Sequence, residues 1–228
     1  MAKSSKRYQA AVKLIEPGKA YALVEAVSLL QQMPRTKFDA AVEVHMRLGI
    51  DVKQANQLVR GSAVLPHGTG KEKRVAVFCE DAKVAEAKAA GAVVVGGSEL
   101  VKEIQASGKC DFDVAIATPE MMKQLAPIAK ILGQKGLMPN PKTETITPDI
   151  GKAVENLRHG KISFKTDDTG NLHQAIGRVS FDSQKLQENF TVFLDAVRRA
   201  RPASSKGTYL QKVALCTSMG PSVIVNAV

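Results

Sequence analysis

Apolar and polar residues alternate at both ends of the chain, and the period of this alternation predicts β-strands there. Within residues 42–48 every second residue is apolar, with Glu, His and Arg between them. A period of two is typical of a half-buried antiparallel strand. Two further strands are expected at about residues 209–216 and 223–226, joined by a short loop.

The middle of the chain has a different pattern, in which short continuous apolar runs alternate with helical segments. The runs predict buried strands at residues 74–79, 93–95 and 112–117. A helix is expected after each run, the third from residue 119 to about 132, and residues 147–149 (Thr-Pro-Asp) are expected to open a fourth. Buried strands that alternate with helices indicate a parallel sheet with right-handed crossovers.

After this region the chain returns to an antiparallel pattern. Residues 161–166 and 172–181 flank the turn-forming residues 167–171, which predicts a hairpin. Asp182 is expected to cap the next helix. The apolar face of that helix is lined by Leu186, Phe190, Phe193, Leu194 and Val197.

The formal net charge of +10 is distributed unevenly along the sequence. Residues 1–67 carry +5 and residues 160–228 carry +4, whereas residues 68–159 carry only +1. The simplest interpretation is one basic, discontinuous α+β domain made from both chain ends, with a nearly neutral, Rossmann-like α/β domain inserted into it. The alternative, a linear pair of domains, leaves the terminal strands too few partners for an independent sheet.

The chain is expected to cross between these two domains twice, in segments that contain glycine. Glycine tolerates large changes of backbone angle, so a two-stranded hinge is expected at the crossings. The predicted hinge residues are Pro66, Gly68, Gly70, His159 and Gly160.

The excess of 32 Lys and Arg over 22 Asp and Glu favours a polyanionic partner, most simply a nucleic acid. Only 10 residues are aromatic and none is Trp, which favours recognition of a folded RNA shape over stacking of a single strand. No signal sequence or membrane span is expected, because Lys13 interrupts the apolar stretch after the basic N-terminus. We therefore expect a cytoplasmic protein that does not act at a membrane.

The residues that usually indicate catalysis or metal binding are scattered. Cys79, Cys110 and Cys216 form no close pair, and the four histidines lack metal-ligand spacing and a neighbouring nucleophile. Residues 68–71 (Gly-Thr-Gly-Lys) lack two positions of a phosphate-binding loop, and residues 168–170 (Asp-Thr-Gly) suit a polar turn better than a protease site. We expect no catalytic residue, metal or cofactor; a nucleotide-binding enzyme and a DNA regulator are the alternatives.

The loop at residues 217–222 carries the clearest binding chemistry. It combines three hydroxyl residues, a glycine and a methionine in six positions between two strands. Hydroxyl groups and backbone amides bind phosphates and ribose hydroxyls, and glycine allows close approach. Lys37 beside Phe38 suits phosphate or base contact, although burial statistics alone favour a core position for Phe38.

One segment resembles the signature of a known family. Residues 131–142, Ile-Leu-Gly-Gln-Lys-Gly-Leu-Met-Pro-Asn-Pro-Lys, are similar to the signature of the bacterial ribosomal protein L-one family. Further blocks agree with that family in the same order, so the resemblance covers essentially the whole chain. These blocks are residues 6–8, 36–39, 42–45, 48–51, 59–61, 65–68 and 217–222.

The resemblance implies the split architecture described above and a structural role in the large ribosomal subunit. It implies binding to a folded stem-junction of large-subunit rRNA, and repression of translation through binding to the protein's own mRNA. It also implies a place in the mobile stalk that helps deacylated tRNA leave the exit site. The free protein is expected to be a monomer.

The resemblance further implies which residues face the RNA. They are Glu25, Lys37, Phe38, Asp167, Thr169, Gly170, Thr217, Ser218, Met219 and Gly220. Two departures from the family pattern weaken part of this assignment, since Asp168 stands where a basic residue is frequent and Ser218 where Thr is frequent. The signature segment lies in the predicted inserted domain, where contact with RNA and a purely structural bend are both consistent with its sequence.

Overall fold

A computed structural model describes residues 5–54, 56–158 and 160–226. Two compact units divide the chain: residues 1–70 with 163–228, here called the terminal unit, and residues 71–162, called the inserted unit. The boundaries fall after residues 70 and 162, three residues beyond the bounds at 67 and 159 that the charge distribution suggested. The terminal unit contains 18 Lys and Arg against 10 Asp and Glu, so it carries +8 of the total charge of +10.

The described residues form ten strands and seven α-helices. The strands are β1 (Ala20–Tyr21), β2 (Ala41–Leu48), β3 (Arg60–Val64), β4 (Val75–Phe78), β5 (Val94–Gly96), β6 (Val114–Ala117), β7 (Lys161–Lys165), β8 (Asn171–Arg178), β9 (Leu210–Thr217) and β10 (Val223–Val225). The helices are α1 (Lys6–Val12), α2 (Leu23–Gln32), α3 (Asp81–Ala89), α4 (Ser98–Ser107), α5 (Ala129–Gln134), α6 (Ile150–Arg158) and α7 (Ser183–Arg199). None of these helices is both long enough and apolar enough to cross a membrane.

The terminal unit is built on a five-stranded sheet in the order β1-β10-β9-β2-β8. β1 runs parallel to β10, and the other neighbours are antiparallel. Helices α2 and α7 pack on one face, toward which β2 directs its buried residues Val42, Val44 and Met46. The opposite face, with Glu43 and His45, is more exposed and is here called the open face. The alternation within residues 42–48 is therefore confirmed as that of a half-buried antiparallel strand.

Helix α7 supplies much of the core beneath this sheet. Its predicted apolar face is buried, and the ring of Phe193 meets the edge of Phe164 with 5.5 Å between centroids. Phe164 belongs to β7, which pairs with β3 in a separate two-stranded sheet. Aromatic pairs of this geometry add to the free energy gained by burial.

Asn189 is a polar residue on the buried side of α7, with no exposed surface. Its Nδ2 donates to the carbonyl oxygens of Ile176 at 2.8 Å and Gly68 at 2.9 Å, and its Oδ1 accepts from the N–H of His67 at 3.2 Å. A buried amide is tolerated because its hydrogen bonds are made. Asn189 thereby connects helix α7 both to strand β8 and to the segment that follows β3.

The inserted unit contains a three-stranded parallel sheet in the order β5-β4-β6. Val75 and Val77 of β4 pack in a core with residues of α3 and α6, whereas Ala76 and Phe78 pack in a second core with residues of α4 and α5. Because helices cover both faces, β4 is buried along its whole length, which accounts for its continuous apolar sequence. The predicted fold class, α+β with an inserted parallel α/β domain, is confirmed.

The predicted helix over residues 119–132 is wrong in its first half. Residues 119–125 form turns, a 3-10 turn spans Ala126–Ile128, and α5 begins only at Ala129. Pro127 accounts for the late start of α5, because it has no N–H to donate and is therefore tolerated in the first turn of a helix but not in its interior. The next helix likewise begins at Ile150, not at the proline two residues earlier.

The predicted hairpin at residues 161–181 is only partly correct. The turn is present, but Thr166 and Leu172 form no more than an isolated antiparallel bridge. Beyond that bridge β7 pairs with β3, whereas β8 pairs with β2. Each arm has another strand as its partner, so the two arms separate directly after the turn.

Replacing Asn189 by alanine should destabilise the terminal unit by roughly 2–4 kcal/mol, because one buried and two partly buried backbone groups lose their partner. Urea unfolding of the full chain, followed by tyrosine emission, measures this change. All three tyrosines (Tyr8, Tyr21 and Tyr209) lie in the terminal unit and Trp is absent, so the emission reports that unit. Gln187→Ala on the same helix is the control, and equal midpoints for the two variants would contradict the role given to Asn189.

Candidate nucleic-acid interface

The loop at residues 217–222 makes a tight turn between β9 and β10. The N–H of Gly220 donates to the carbonyl oxygen of Thr217 at 2.9 Å. A Cβ atom at Gly220 would lie 2.2 Å from Thr217 Oγ1, so any other residue here would force the Thr217 side chain to move. The turn presents Met219 to solvent with 57% of its surface exposed.

Ser218 fastens this loop to the beginning of β2. Its N–H donates to the carbonyl oxygen of Ala41 at 3.0 Å, and its Oγ accepts from the N–H of Ala41 at 3.1 Å. The same Oγ lies 3.3 Å from Glu43 Oε1, to which it can donate its proton. Arg7 holds the loop from another side, since it donates to the carbonyl oxygen of Met219 at 3.1 Å. The Ser218 hydroxyl therefore holds the loop in position, and its hydrogen bonds are made within the protein.

A cleft of about 310 Å³ lies next to this loop. Thr217 and Phe38 both line it, and Phe38 is 56% exposed, so the core position favoured by burial statistics is wrong for this residue. Arg7 and Arg35 line the same cleft. An exposed aromatic ring can stack on an unpaired base, and guanidinium groups bind phosphates. The cleft thus combines both chemistries, and Lys37 adds an exposed cation beside it.

The turn at residues 167–170 is organised by one carboxylate. Asp167 accepts hydrogen bonds from the N–H groups of Asn171 (2.7 Å) and Thr169 (2.9 Å) and from the Thr169 hydroxyl (2.8 Å). Burial raises the pKa of Asp167, but these hydrogen bonds outweigh it and hold the pKa well below its ordinary value. Gly170 completes the turn with a φ of 80°. The Asp167 carboxylate and the Thr169 hydroxyl, which were expected to face RNA, therefore form hydrogen bonds within the turn and determine its shape.

A line of polar side chains crosses the open face of the sheet from this turn to the loop at residues 217–222. Asp167 Oδ2 lies 3.5 Å from His173 Nε2, and His173 Nδ1 lies 2.7 Å from His45 Nδ1. His45 Nε2 lies 3.0 Å from Cys216 Sγ, and Cys216 directly precedes the loop. The line joins two parts of the surface that the sequence suggested separately.

Burial sets the protonation of this line. It lowers the pKa of His45, and the neighbouring His173 lowers that pKa further. It also raises the pKa of the Cys216 thiol to about 11, a shift to which the Glu43 carboxylate adds. Near neutral pH His45 is therefore uncharged and Cys216 is a thiol. The short distance between the two Nδ1 atoms is that of a hydrogen bond, in which one imidazole donates and the other accepts.

The remaining predicted residues lie elsewhere. Glu25 is exposed in the first turn of α2 and is not among the residues that line the cleft. Gly68, Gly70 and Gly160 have positive φ angles of 61°, 71° and 108°, which only glycine adopts readily. His159 lies outside the described residues, and Pro66 is exposed.

The signature segment at residues 131–142 has a structural role in the inserted unit. Leu132 is fully buried in the core, and Leu137 and Met138 pack against the same core. Helix α5 ends at Gln134, and Gly136, just beyond the cap residue Lys135, has a φ of 68°, while the N–H of Leu137 donates to the carbonyl oxygen of Leu132 at 2.8 Å. This is the usual way in which glycine ends a helix, and it gives the segment its bend.

Sequence reasoning missed four members of this surface. Arg7 and Arg35 have a weak signal, since each stands beside residues that the sequence did single out. His45 and Cys216 have none, because their contact joins residues 171 positions apart on paired strands. Only the register of β2 against β9 shows that they meet.

The split fold, the charge on the terminal unit and the exposed loop surface are together typical of a ribosomal protein. The sequence model of the Ribosomal protein L1p/L10e family matches residues 29–221. The chain belongs to this family, and the resemblance first recognised in residues 131–142 is confirmed.

Bacterial relatives are similar to this chain over almost its entire length. The protein of Saccharopolyspora erythraea is 51% identical over 226 residues, which cover 99% of this chain and 94% of the relative. The protein of Frankia casuarinae is 51% identical over 224 residues (98% and 94%), and that of Corynebacterium glutamicum is 50% identical over 226 residues (99% and 95%). Each is named large ribosomal subunit protein uL1. Membership of a family of structural proteins confirms that the chain is not an enzyme.

The turn at residues 167–170 should make the stability of the terminal unit sensitive to acid. Because the pKa of Asp167 is lower in the folded chain than in the unfolded one, its contribution is present above the unfolded pKa of about 3.9 and is lost as the pH falls below it. Asp167→Asn removes this contribution. The difference in urea midpoint between wild type and Asp167→Asn should therefore shrink as the pH is lowered from about 5 toward about 3, because this range spans the pKa of the unfolded carboxyl group.

Asp168→Asn is the matched control, because it removes the adjacent carboxylate, which accepts none of the hydrogen bonds just described. The difference between wild type and this control should change less over the same pH range. If the two differences followed the same course, Asp167 would have no special place in the turn.

Proposed function

We propose that this chain is a structural, RNA-binding component of the large ribosomal subunit. Its terminal unit binds a folded stem-junction of large-subunit rRNA, and the same surface binds a similar structure in the protein's own mRNA and so represses translation. In the ribosome the chain forms a mobile stalk that assists release of deacylated tRNA from the exit site. Family membership and the names of the relatives support the assignment to the large subunit.

The observation that carries the RNA-binding part of the proposal is the surface beside β2. Met219 and Phe38 are both more than half exposed, although apolar side chains of this size are usually buried. They lie near Arg7 and Arg35, in the unit that carries +8. Exposed apolar groups among cations suit a partner that offers base faces and phosphates together.

The predicted site residues divide into two groups in this proposal. Met219, Phe38 and Lys37 reach outward and contact the RNA directly. The residues that hold the turns in shape, among them Asp167 and Ser218, fix the backbone against which the RNA is placed. Gly170 and Gly220 allow the nucleic acid to approach the backbone closely.

Motion of the stalk is assigned to the two crossings of the chain. Pro66, Gly68, Gly70, His159 and Gly160 form the proposed hinge, of which His159 lies outside the described residues. Asn189 holds the backbone of His67 and Gly68 in the terminal unit. Within this hinge, Pro66 therefore marks the fixed end of the first crossing, and the change of backbone angle is expected after residue 68.

The binding proposal is tested by titrating the full chain with a stem-junction fragment of bacterial large-subunit rRNA at several salt concentrations. The logarithm of the affinity should fall linearly with the logarithm of salt, by about 0.9 per phosphate neutralised if duplex values apply. Duplex DNA of equal length should compete poorly. A flat salt response, or equal competition by DNA, would contradict the proposal.

In the same assay, Met219→Asp should weaken binding by more than about 1 kcal/mol, roughly fivefold, by analogy with the loss of other direct contacts. The matched control is Val192→Asp, which places the same charge at an exposed apolar residue on α7. Urea unfolding of both variants establishes that the terminal unit is folded. Equal affinities for Met219→Asp and Val192→Asp would show that the loop at residues 217–222 is only a turn.

A further inference from the structure

Three potential metal ligands meet on the open face of the sheet, next to the loop at residues 217–222. Glu43 and His45 are alternate residues of β2 and therefore point to the same side. Cys216 of β9 is paired directly with Glu43. One ligand atom from each of the three residues lies within 4.8 Å of the others.

The spacing of these atoms is close to that of a tetrahedral zinc site. With zinc–sulfur and zinc–nitrogen bonds of about 2.3 and 2.1 Å, tetrahedral ligand atoms lie roughly 3.4–3.6 Å apart. His45 Nε2 is 3.0 Å from Cys216 Sγ and 3.8 Å from Glu43 Oε2. These two distances lie within about 0.6 Å of the tetrahedral spacings, and the third pair, Cys216 Sγ and the Glu43 carboxylate, lies within 4.8 Å.

The groups behind the ligands have the arrangement that orients metal ligands in proteins. His45 uses its other nitrogen, Nδ1, to contact His173 Nδ1 at 2.7 Å, and His173 Nε2 lies 3.5 Å from Asp167. When Nε2 of His45 binds an ion, Nδ1 carries the proton and donates it to His173, whose own Nε2–H then points to the Asp167 carboxylate. A single set of tautomers thus satisfies the whole line, and such partners fix the tautomer and the orientation of the metal ligand.

The carboxylate ligand is supported in the same way. Glu43 Oε1 lies 3.3 Å from the Ser218 hydroxyl, which leaves Oε2 for an ion. The side chains of Glu43 and His45 are 34% and 32% exposed, so an ion can reach them while much of the site is shielded from water. A thiolate and an imidazole select zinc-like ions, whereas magnesium and calcium prefer sites made of oxygen ligands alone.

We propose that Glu43, His45 and Cys216 form a binding site for one zinc(II) ion, with the fourth position open to water. The ion displaces the Cys216 thiol proton, which passes to solvent, and forms bonds to sulfur, nitrogen and oxygen. The site does not depend on the proposed binding of RNA. The expectation of no metal rested on residue spacing along the sequence, which does not show that strand pairing brings these three residues together.

The test uses the full chain after treatment with a chelator, without RNA. Zinc chloride is titrated by calorimetry, and cobalt(II) chloride, a spectroscopic substitute for zinc, is titrated by absorption. We expect one zinc ion per chain, with a dissociation constant below about 10 µM, which corresponds to a binding free energy of more than roughly 7 kcal/mol. With cobalt(II) we expect a thiolate-to-cobalt charge-transfer band. Cys216→Ala should abolish the band and weaken zinc binding by at least about tenfold.

Two further variants make the result specific. Cys110→Ala removes a partly buried thiol of the inserted unit and should leave both signals unchanged. His173→Ala keeps all three ligands and should weaken zinc binding by about 10- to 100-fold, the usual effect of removing an outer partner. The proposal is overturned by an ion bound more weakly than about 100 µM, by a band that survives Cys216→Ala, or by one that is lost in Cys110→Ala.

Discussion

The pairing of β2 with β9 on one side and β8 on the other is the interaction on which the terminal unit depends. These two ladders bring the beginning of the chain against its end and place β2 inside the five-stranded sheet. The covered face of β2 binds the sheet to α2 and α7 through apolar contacts. The same pairing positions the surface that is proposed to bind RNA. The loop at residues 217–222 belongs to this surface and is hydrogen-bonded to Ala41, the first residue of β2. A chain built as two consecutive domains could not assemble this surface.

The surface separates groups that hold the structure from groups that are presented to solvent. Asp167, Thr169 and Ser218 use their polar atoms for bonds within the protein, and the glycines fit backbone positions that other residues would strain. Met219 and Phe38 expose apolar surface that the fold leaves uncovered. In such an interface the polar groups hold the loops in shape, and the apolar groups remain exposed for contact with a partner. Binding then requires little ordering of the loops, which lowers the entropic cost of association.

Much of this structure could be predicted from local pattern. The period-two alternation in residues 42–48 and the continuous apolar runs in the middle of the chain identified both kinds of sheet, because side-chain burial follows the pleat of a strand directly. Prediction failed where a local rule competed with another interaction. Pro127 interrupts a segment of otherwise helical character, and the turn at residue 167 leads into two different sheets because each arm has a partner far away in sequence.

The candidate site was predictable only in part, for the same reason. The loop at residues 217–222 is recognised from its own composition, whereas the cluster of Glu43, His45 and Cys216 exists only through strand register. Phe38 is exposed although burial statistics favour a core position, because average burial describes a residue type and not its place at the entry to a strand. Contacts between distant segments carry no local signal, and the surface proposed to bind RNA depends on several of them.

The central claim, that the surface beside β2 binds RNA, is tested most directly by hydroxyl-radical footprinting of the full chain with and without a large-subunit rRNA fragment. Met219 and Phe38 are exposed and have side chains that radicals oxidise readily, and Met122 of the inserted unit serves as the internal reference. The account predicts that RNA slows oxidation of Met219 and Phe38 several-fold and leaves Met122 unchanged. Unchanged oxidation of Met219 and Phe38, with protection confined to the inserted unit, would contradict it.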